Sequence, residues 1–202
     1  MSLRERQREA AITAIIEAAT RVFSESGFHR TSMEDIARAC DCAPATIYGY
    51  FKGKEALFTA IIETHLTLYF AGVQAAVTET DDFGSGLTAF LDNLAAFGTK
   101  HGGFLRLLDA LMREGSNAHP KPEAHEAIEQ SYLIAIHTIV QRGLDEGVLR
   151  DDAPDHALTA SLIGLAHSAA GLWAYKKADD DIGPYIDFAG SLFLNGATRR
   201  DT

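Results

Sequence analysis

Apolar side chains recur every three or four positions along almost the whole chain, and no stretch alternates apolar with polar residues for long enough to make a half-buried strand. The pattern predicts an all-α protein of about nine helices. Ile12, Ile15, Ile16, Ala19, Val22 and Phe23 form one stripe over about 4–26, and Gly27 supplies the stop usual just past a helix. Thr31 opens a second, short helix, its hydroxyl spaced to form a capping box with Glu34, and Met33, Ile36, Ala37 and Cys40 give its inner face. Pro44 then takes the first-turn position of a third short helix that runs through Tyr50, with Ile47 facing inward.

A long fourth helix starts at Gly53 and buries Leu57, Phe58, Ile61, His65, Leu66, Tyr69 and Val73. Two amphipathic helices are expected over about 86–100 and 103–113, the second turning Phe104, Leu107, Leu108 and Met112 inward. The next runs from near Pro122 to Gly147, again a glycine stop. From Ala157 to Trp173 apolar and small residues go nearly all the way round, which requires cover on both sides. The last helix, about 185–197, carries Phe188, Leu192 and Phe193. These last two helices are the expected homodimer interface, through Leu158, Leu162, Leu165, Ala169, Phe188 and Leu192, because a lone protomer would leave too much apolar surface in water.

Two short helices joined by a tight turn and propped by a longer one make a helix-turn-helix, whose second helix enters the DNA major groove. Its surface offers Pro44, Ala45, Thr46, Tyr48, Gly49 and Tyr50, uncharged and mostly small, so the helix can sit deep and Thr46 can meet a base edge. Lys52 and Lys54, beside the free N–H groups that open the fourth helix, form a phosphate clamp; Thr31 and Ser32 form another. The division follows as a DNA-binding domain over 1–52 and a helical ligand-binding and dimerisation domain over 53–202.

The stretch Gly27-Phe28-His29-Arg30-Thr31-Ser32-Met33-Glu34-Asp35-Ile36-Ala37, followed by Thr46-Ile47-Tyr48-Gly49-Tyr50-Phe51-Lys52-Gly53-Lys54-Glu55-Ala56-Leu57-Phe58, strongly resembles the TetR/AcrR family of bacterial regulators. The resemblance implies a homodimeric repressor that a small hydrophobic or amphipathic molecule releases from a palindromic operator. It further implies phosphate contacts from Thr31 and Ser32, base contacts from Pro44, Ala45 and Thr46, and backbone contacts from Tyr48, Tyr50 and Lys54. Two positions depart from the family pattern: Asp41 stands at the usual turn glycine, where some strain is expected, and Ala43 replaces the usual serine cap.

The net charge of −10 would argue against DNA if it were evenly spread. Residues 1–56 hold eight basic and eight acidic side chains, so all the excess negative charge falls on the body, where it helps to orient a docked duplex. No stretch approaches the roughly 18 uninterrupted apolar residues of a membrane span, and the first ten residues are charged where a signal peptide would be apolar; a soluble cytoplasmic protein without a membrane partner is expected.

Within the body, His65, Leu66, Tyr69, Phe97, Phe104, Leu108, Met112, Tyr132, Ile136 and Trp173 are the candidates to line an effector pocket among facing helices. His65 and His137 fall on buried faces, where each could bond an effector or satisfy a core neighbour. The remaining histidines show no ligand spacing, and Cys40 and Cys42 have only His29 nearby, so neither a metal nor a cofactor is expected. A nucleophile elbow, a phosphate-binding glycine loop and HExxH are all missing from the sequence, which argues against an enzyme.

Overall fold

The computed structural model describes residues 2–114, 123–176 and 180–199. Their helices are α1 (Leu3–Ser26), α2 (Met33–Ala39), α3 (Pro44–Tyr48), α4 (Lys54–Thr78), α5 (Phe83–Glu114), α6 (Glu123–Asp145), α7 (Asp155–Tyr175) and α8 (Gly183–Ala197). Among the described residues there is no strand; one antiparallel bridge joins Leu149 to Thr198 and ties the exit of α6 to the end of α8.

The all-α expectation holds, and the difference in helix number has one source. The segments expected as separate helices over about 86–100 and 103–113 are a single α5 with a break in helical geometry at His101 (φ −120°, ψ 31°). Gly102 and Gly103 explain both the kink and its location, since paired glycines resist bending least. Gly102 is also required by packing, because a Cβ there would come within 2.8 Å of the Trp173 ring.

Local capping follows simple chemistry, with one correction. Ser32, not Thr31, caps α2, accepting from the Asp35 N–H at 3.1 Å while the Asp35 carboxylate accepts from the Ser32 N–H at 3.0 Å. The box therefore pairs Ser32 with Asp35 rather than Thr31 with Glu34, because the hydroxyl of Thr31 already donates to the Gly27 carbonyl at 2.8 Å. Gly27 (φ 81°) and Gly147 (φ 70°) both sit in the left-handed region that makes them stops. Asp41 shares that region at φ 53°, the strained turn position the sequence pointed to, and Ala43 opens α3 without a side-chain cap.

One apolar core runs through the whole described chain, from Ile15 of α1 to Ala197 of α8. At its N-terminal end Phe23, Phe28 and Phe58 pack ring against ring, with centroids 4.8–5.8 Å apart. Full burial of a phenylalanine stabilises by roughly 1.5–3 kcal/mol, so this trio fastens the short helices to the start of α4. The first turns of α4, through Leu57, Phe58 and Ile61, thus belong to the core beneath α1 and α2.

By length and composition alone, α4 and α7 are apolar enough to cross a membrane, which a count of uninterrupted apolar runs had not suggested. Their position in the bundle accounts for the composition: α4 packs on α1, α5 and α6, and α7 on α5, α6 and α8. The opposite side of α7 is uncovered, leaving Ser161, Gly164, Leu172 and Tyr175 exposed or nearly so.

Candidate DNA interface and effector cavity

The turn between α2 and α3 presents α3 with one face in and one face out. Ile47 is fully buried and Phe51 nearly so, whereas Ala45, Thr46, Tyr48 and Gly49 are exposed and Pro44 and Tyr50 are partly so. A short outward ridge without charge therefore stands beside the exposed ammonium of Lys52.

The other three expected clamp residues are engaged within the protein. Thr31 is 3% exposed, and its hydroxyl is occupied by Gly27. Lys54 donates to the carbonyls of Phe28 (2.9 Å) and Thr31 (3.0 Å), with its ammonium 4.5 Å from the centre of the Phe28 ring. An ammonium has three N–H donors, so one is left to reach a phosphate. Lys54 is first of all a strut between the α1–α2 turn and the start of α4. Ser32 is partly buried and closed into its cap, and Asp35, held by Ser32 and by Arg38 at 2.6 Å, has its carboxyl below the usual range.

Cys40 and Cys42, in the turn, are both free and partly buried. Burial and the adjacent Cys42 push the Cys40 thiol up to about 11, so it stays protonated and unreactive. Among the described residues no three His, Cys, Asp or Glu side chains gather closely enough to hold a metal ion.

In the body, a cavity of about 640 Å³ lies between α4, α5 and α7. Of the residues the sequence proposed, Leu66, Tyr69, Phe97, Phe104 and Leu108 line it. Ile136 does not, being fully buried in packed core, and Met112's side chain lies outside the described residues. Trp173 lines a different hollow of about 550 Å³ beside Lys100 and Arg106, with its indole N–H donating to the Asp180 carbonyl at 2.9 Å. His65 sits behind the wall, stacked on Phe104 (centroids 4.5 Å, planes 8° apart), with its Nδ1–H donating to the Ile61 carbonyl. His137 lies away from the cavity, facing Thr159 and Asp155.

Sequence reading missed His167, the most informative polar group of the wall. The hydroxyls of Tyr69 and Tyr132 converge on its Nε2 at 3.2 and 3.1 Å. Tyr132 thus serves the cavity from behind rather than lining it. The side chain of His167 is accessible where it borders the mouth of the cavity, while the helices crowded around it push its imidazole down to about 4. Burial raises both phenols above their ordinary range, Tyr69 strongly. Asp109 and Ser168 also line the wall, and the cavity opens on the outer side of α7 where Gly164, Ser168 and Leu172 are exposed. A histidine within a stretch of small and apolar residues was the available clue, but the two tyrosines lie 35 and 98 residues away in the chain.

The six interface candidates divide in two. Leu158 and Leu162 point into the protomer core, and Leu165 and Ala169 are partly covered. Phe188 and Leu192 are 64% and 44% exposed, and Leu172 and Tyr175 of α7 join them on the outside.

An outward, uncharged α3 on a propped turn, joined through one continuous helix to a body with an internal cavity, has the architecture of a helix-turn-helix head on a hollow helical body. Residues 15–61 match the family described as bacterial regulatory proteins, tetR family. The transcriptional regulator UidR of Escherichia coli is 50% identical over 50 residues, a match that takes in 25% of this chain and 26% of that protein. The fatty acid metabolism regulator protein of Bacillus subtilis is 22% identical over 95% of this chain and 97% of its own.

Two solved structures share the fold. The regulator FadR of Bacillus subtilis, in complex with stearoyl-CoA, has a TM-score of 0.76 at 18% identity, covering 91% of this chain and 98% of its own. The ketosteroid regulator KstR2 of Mycobacterium tuberculosis has a TM-score of 0.73 at 18% identity, covering 94% and 95%. These relatives are regulators of transcription, not enzymes.

Proposed function

We propose that the protein is a homodimeric repressor of the cytoplasm that holds a palindromic operator and lets go when a small, mainly apolar molecule enters the body. The observation that carries this reading is a shared wall: Phe104 lines the cavity on one side and stacks on His65 of α4 on the other. α4 in turn begins at Lys54, the strut to the turn between α1 and α2. A ligand that fits better when the Phe104 wall is displaced favours a different tilt of α4 by its difference in affinity for the two states. In a dimer that tilt moves the two α3 helices off the roughly 34–36 Å separation that one turn of DNA demands.

The exposed Leu172, Tyr175, Phe188 and Leu192 are the dimer surface in this reading. Thr46 and Ala45 meet bases, while Lys52, Tyr48 and the free donor of Lys54 meet phosphates. The fatty-acid regulators among the relatives support an acyl chain as the apolar part of the effector. Selection of bound duplexes from a random pool, repeated with candidate acyl compounds, tests the whole reading. A recovered palindrome whose binding weakens with one of them is expected; no preference over bulk DNA at moderate salt would overturn it.

A further inference from the structure

We propose that the cavity selects an uncharged ligand bearing a hydrogen-bond acceptor on its apolar chain, an ester or thioester carbonyl, and rejects the matching free carboxylate, with His167 and its two tyrosines reading the acceptor. The inference deepens the effector reading above and rests on it.

Three features of the cavity point this way. The first is charge: among the described residues that line it there is no lysine or arginine, and the one charged side chain is the carboxylate of Asp109. A carboxylate brought out of water needs a cation or several donors to offset its lost hydration, and the described residues of this wall supply no cation.

The second is the hydrogen-bond inventory of His167. Two phenolic hydroxyls meet at one ring nitrogen, and a neutral imidazole nitrogen without hydrogen has a single lone pair. The network is satisfied when one phenol donates to the other and the second donates to Nε2. That assignment, made from the network, puts the imidazole proton on Nδ1. Nδ1 has no partner in the chain among the described residues, on a ring that lines the cavity. A donor without an acceptor in a largely apolar hollow is the complement of a carbonyl oxygen.

The third is protonation. Phenols held neutral by burial and an imidazole pushed down to about 4 leave the trio uncharged at physiological pH, so it offers a dipole and not an ion.

The test uses the full chain and displacement of Nile red by methyl decanoate, decanoate and decyltrimethylammonium at pH 7.5. Methyl decanoate is expected to bind about tenfold or more tightly than decanoate. His167→Leu is expected to weaken the ester by about three- to tenfold, the worth of one hydrogen bond, and to leave decanoate unchanged. The carbonyl stretch of bound, isotope-labelled ester should lie lower in wild type than in His167→Leu, a shift that a merely structural histidine would not produce. Equal or tighter binding of decanoate or of the cation, or a carbonyl frequency that ignores His167, overturns the inference while leaving ligand response intact. Binding of none of the three overturns the acyl-effector reading together with it.

Discussion

The imidazole of His65 lies flat on the ring of Phe104, 4.5 Å from centroid to centroid and 8° from parallel, so a side chain of the cavity wall is stacked directly on α4, the helix that follows the helix-turn-helix head. His101, the residue at the kink of α5, stands edge-on to His65 at 5.3 Å and beside Phe97 at 4.8 Å. A bent helix, a cavity wall and α4 thus meet at one aromatic cluster. If it transmits effector binding, Phe104→Leu should keep operator binding in the absence of effector but reduce the effector-induced loss of affinity by about three- to tenfold, within the coupling energies usual for such systems. Operator titrations with and without ligand measure that ratio, and a ratio equal to wild type would remove the stack from the pathway.

Acid should destabilise the protein through three histidines whose surroundings disfavour the charged ring. Burial lowers His65, His101 and His167 from their ordinary value of 6.5, and His65 further lowers His101 by charge repulsion. Below about 6.5 the unfolded chain takes up protons that the folded chain refuses, so folding stability falls as pH drops. For His167 the loss accumulates between about 6.5 and about 4 and then stops, because both states are protonated below that. Thermal unfolding followed from pH 7.5 to 4.5 should show this decline, and His167→Gln should flatten it. A variant with the wild-type slope would mean that His167 is readily solvated in the folded protein.

The turn before α3 should respond to two substitutions in the stabilising direction. Asp41 is held at φ 53°, where a side chain costs free energy that glycine escapes, and Ala43 leaves the N-terminus of α3 without a side-chain acceptor. Ala43→Ser is expected to stabilise by about 1 kcal/mol. Asp41→Val, adding β-branching in the left-handed region, is expected to destabilise by roughly 1–2 kcal/mol, with Asp41→Gly at or above wild type. Urea unfolding decides the order; Val at or above Gly would contradict the strain.

Lys52 and Lys54 should separate in their effects although they lie two residues apart. The side chain of Lys52 is exposed beside α3, so Lys52→Ala should weaken binding to all duplexes alike and lower the salt slope by about 1. Lys54→Ala removes two charge-assisted bonds to carbonyls of the α1–α2 turn and should also destabilise the protein by roughly 1.5–3 kcal/mol. Salt-dependent binding and chemical denaturation of both variants distinguish a phosphate contact from a strut.

Periodicity alone settled much of the architecture. Helical spacing determined the all-α class, left-handed glycines at 27 and 147 determined two helix ends, and the apolar positions Ile47 and Phe51 determined which side of the reading helix turns outward. Each of these depends on residues within one or two turns of one another, so the chain carries them locally.

Tertiary structure decided which partners complete each polar group and which apolar side chains border a hollow. Lys54 meets carbonyls 26 and 23 residues away, and His167 meets phenols 98 and 35 residues away; local spacing holds no record of either. Leu66 and Ile136 are equally apolar on equally periodic helices, yet one borders the cavity and the other is packed solid. Periodicity reports which side of a helix faces inward, whereas a cavity is the space left where three such sides fail to fill one another, a property of their relative placement and not of any one of them.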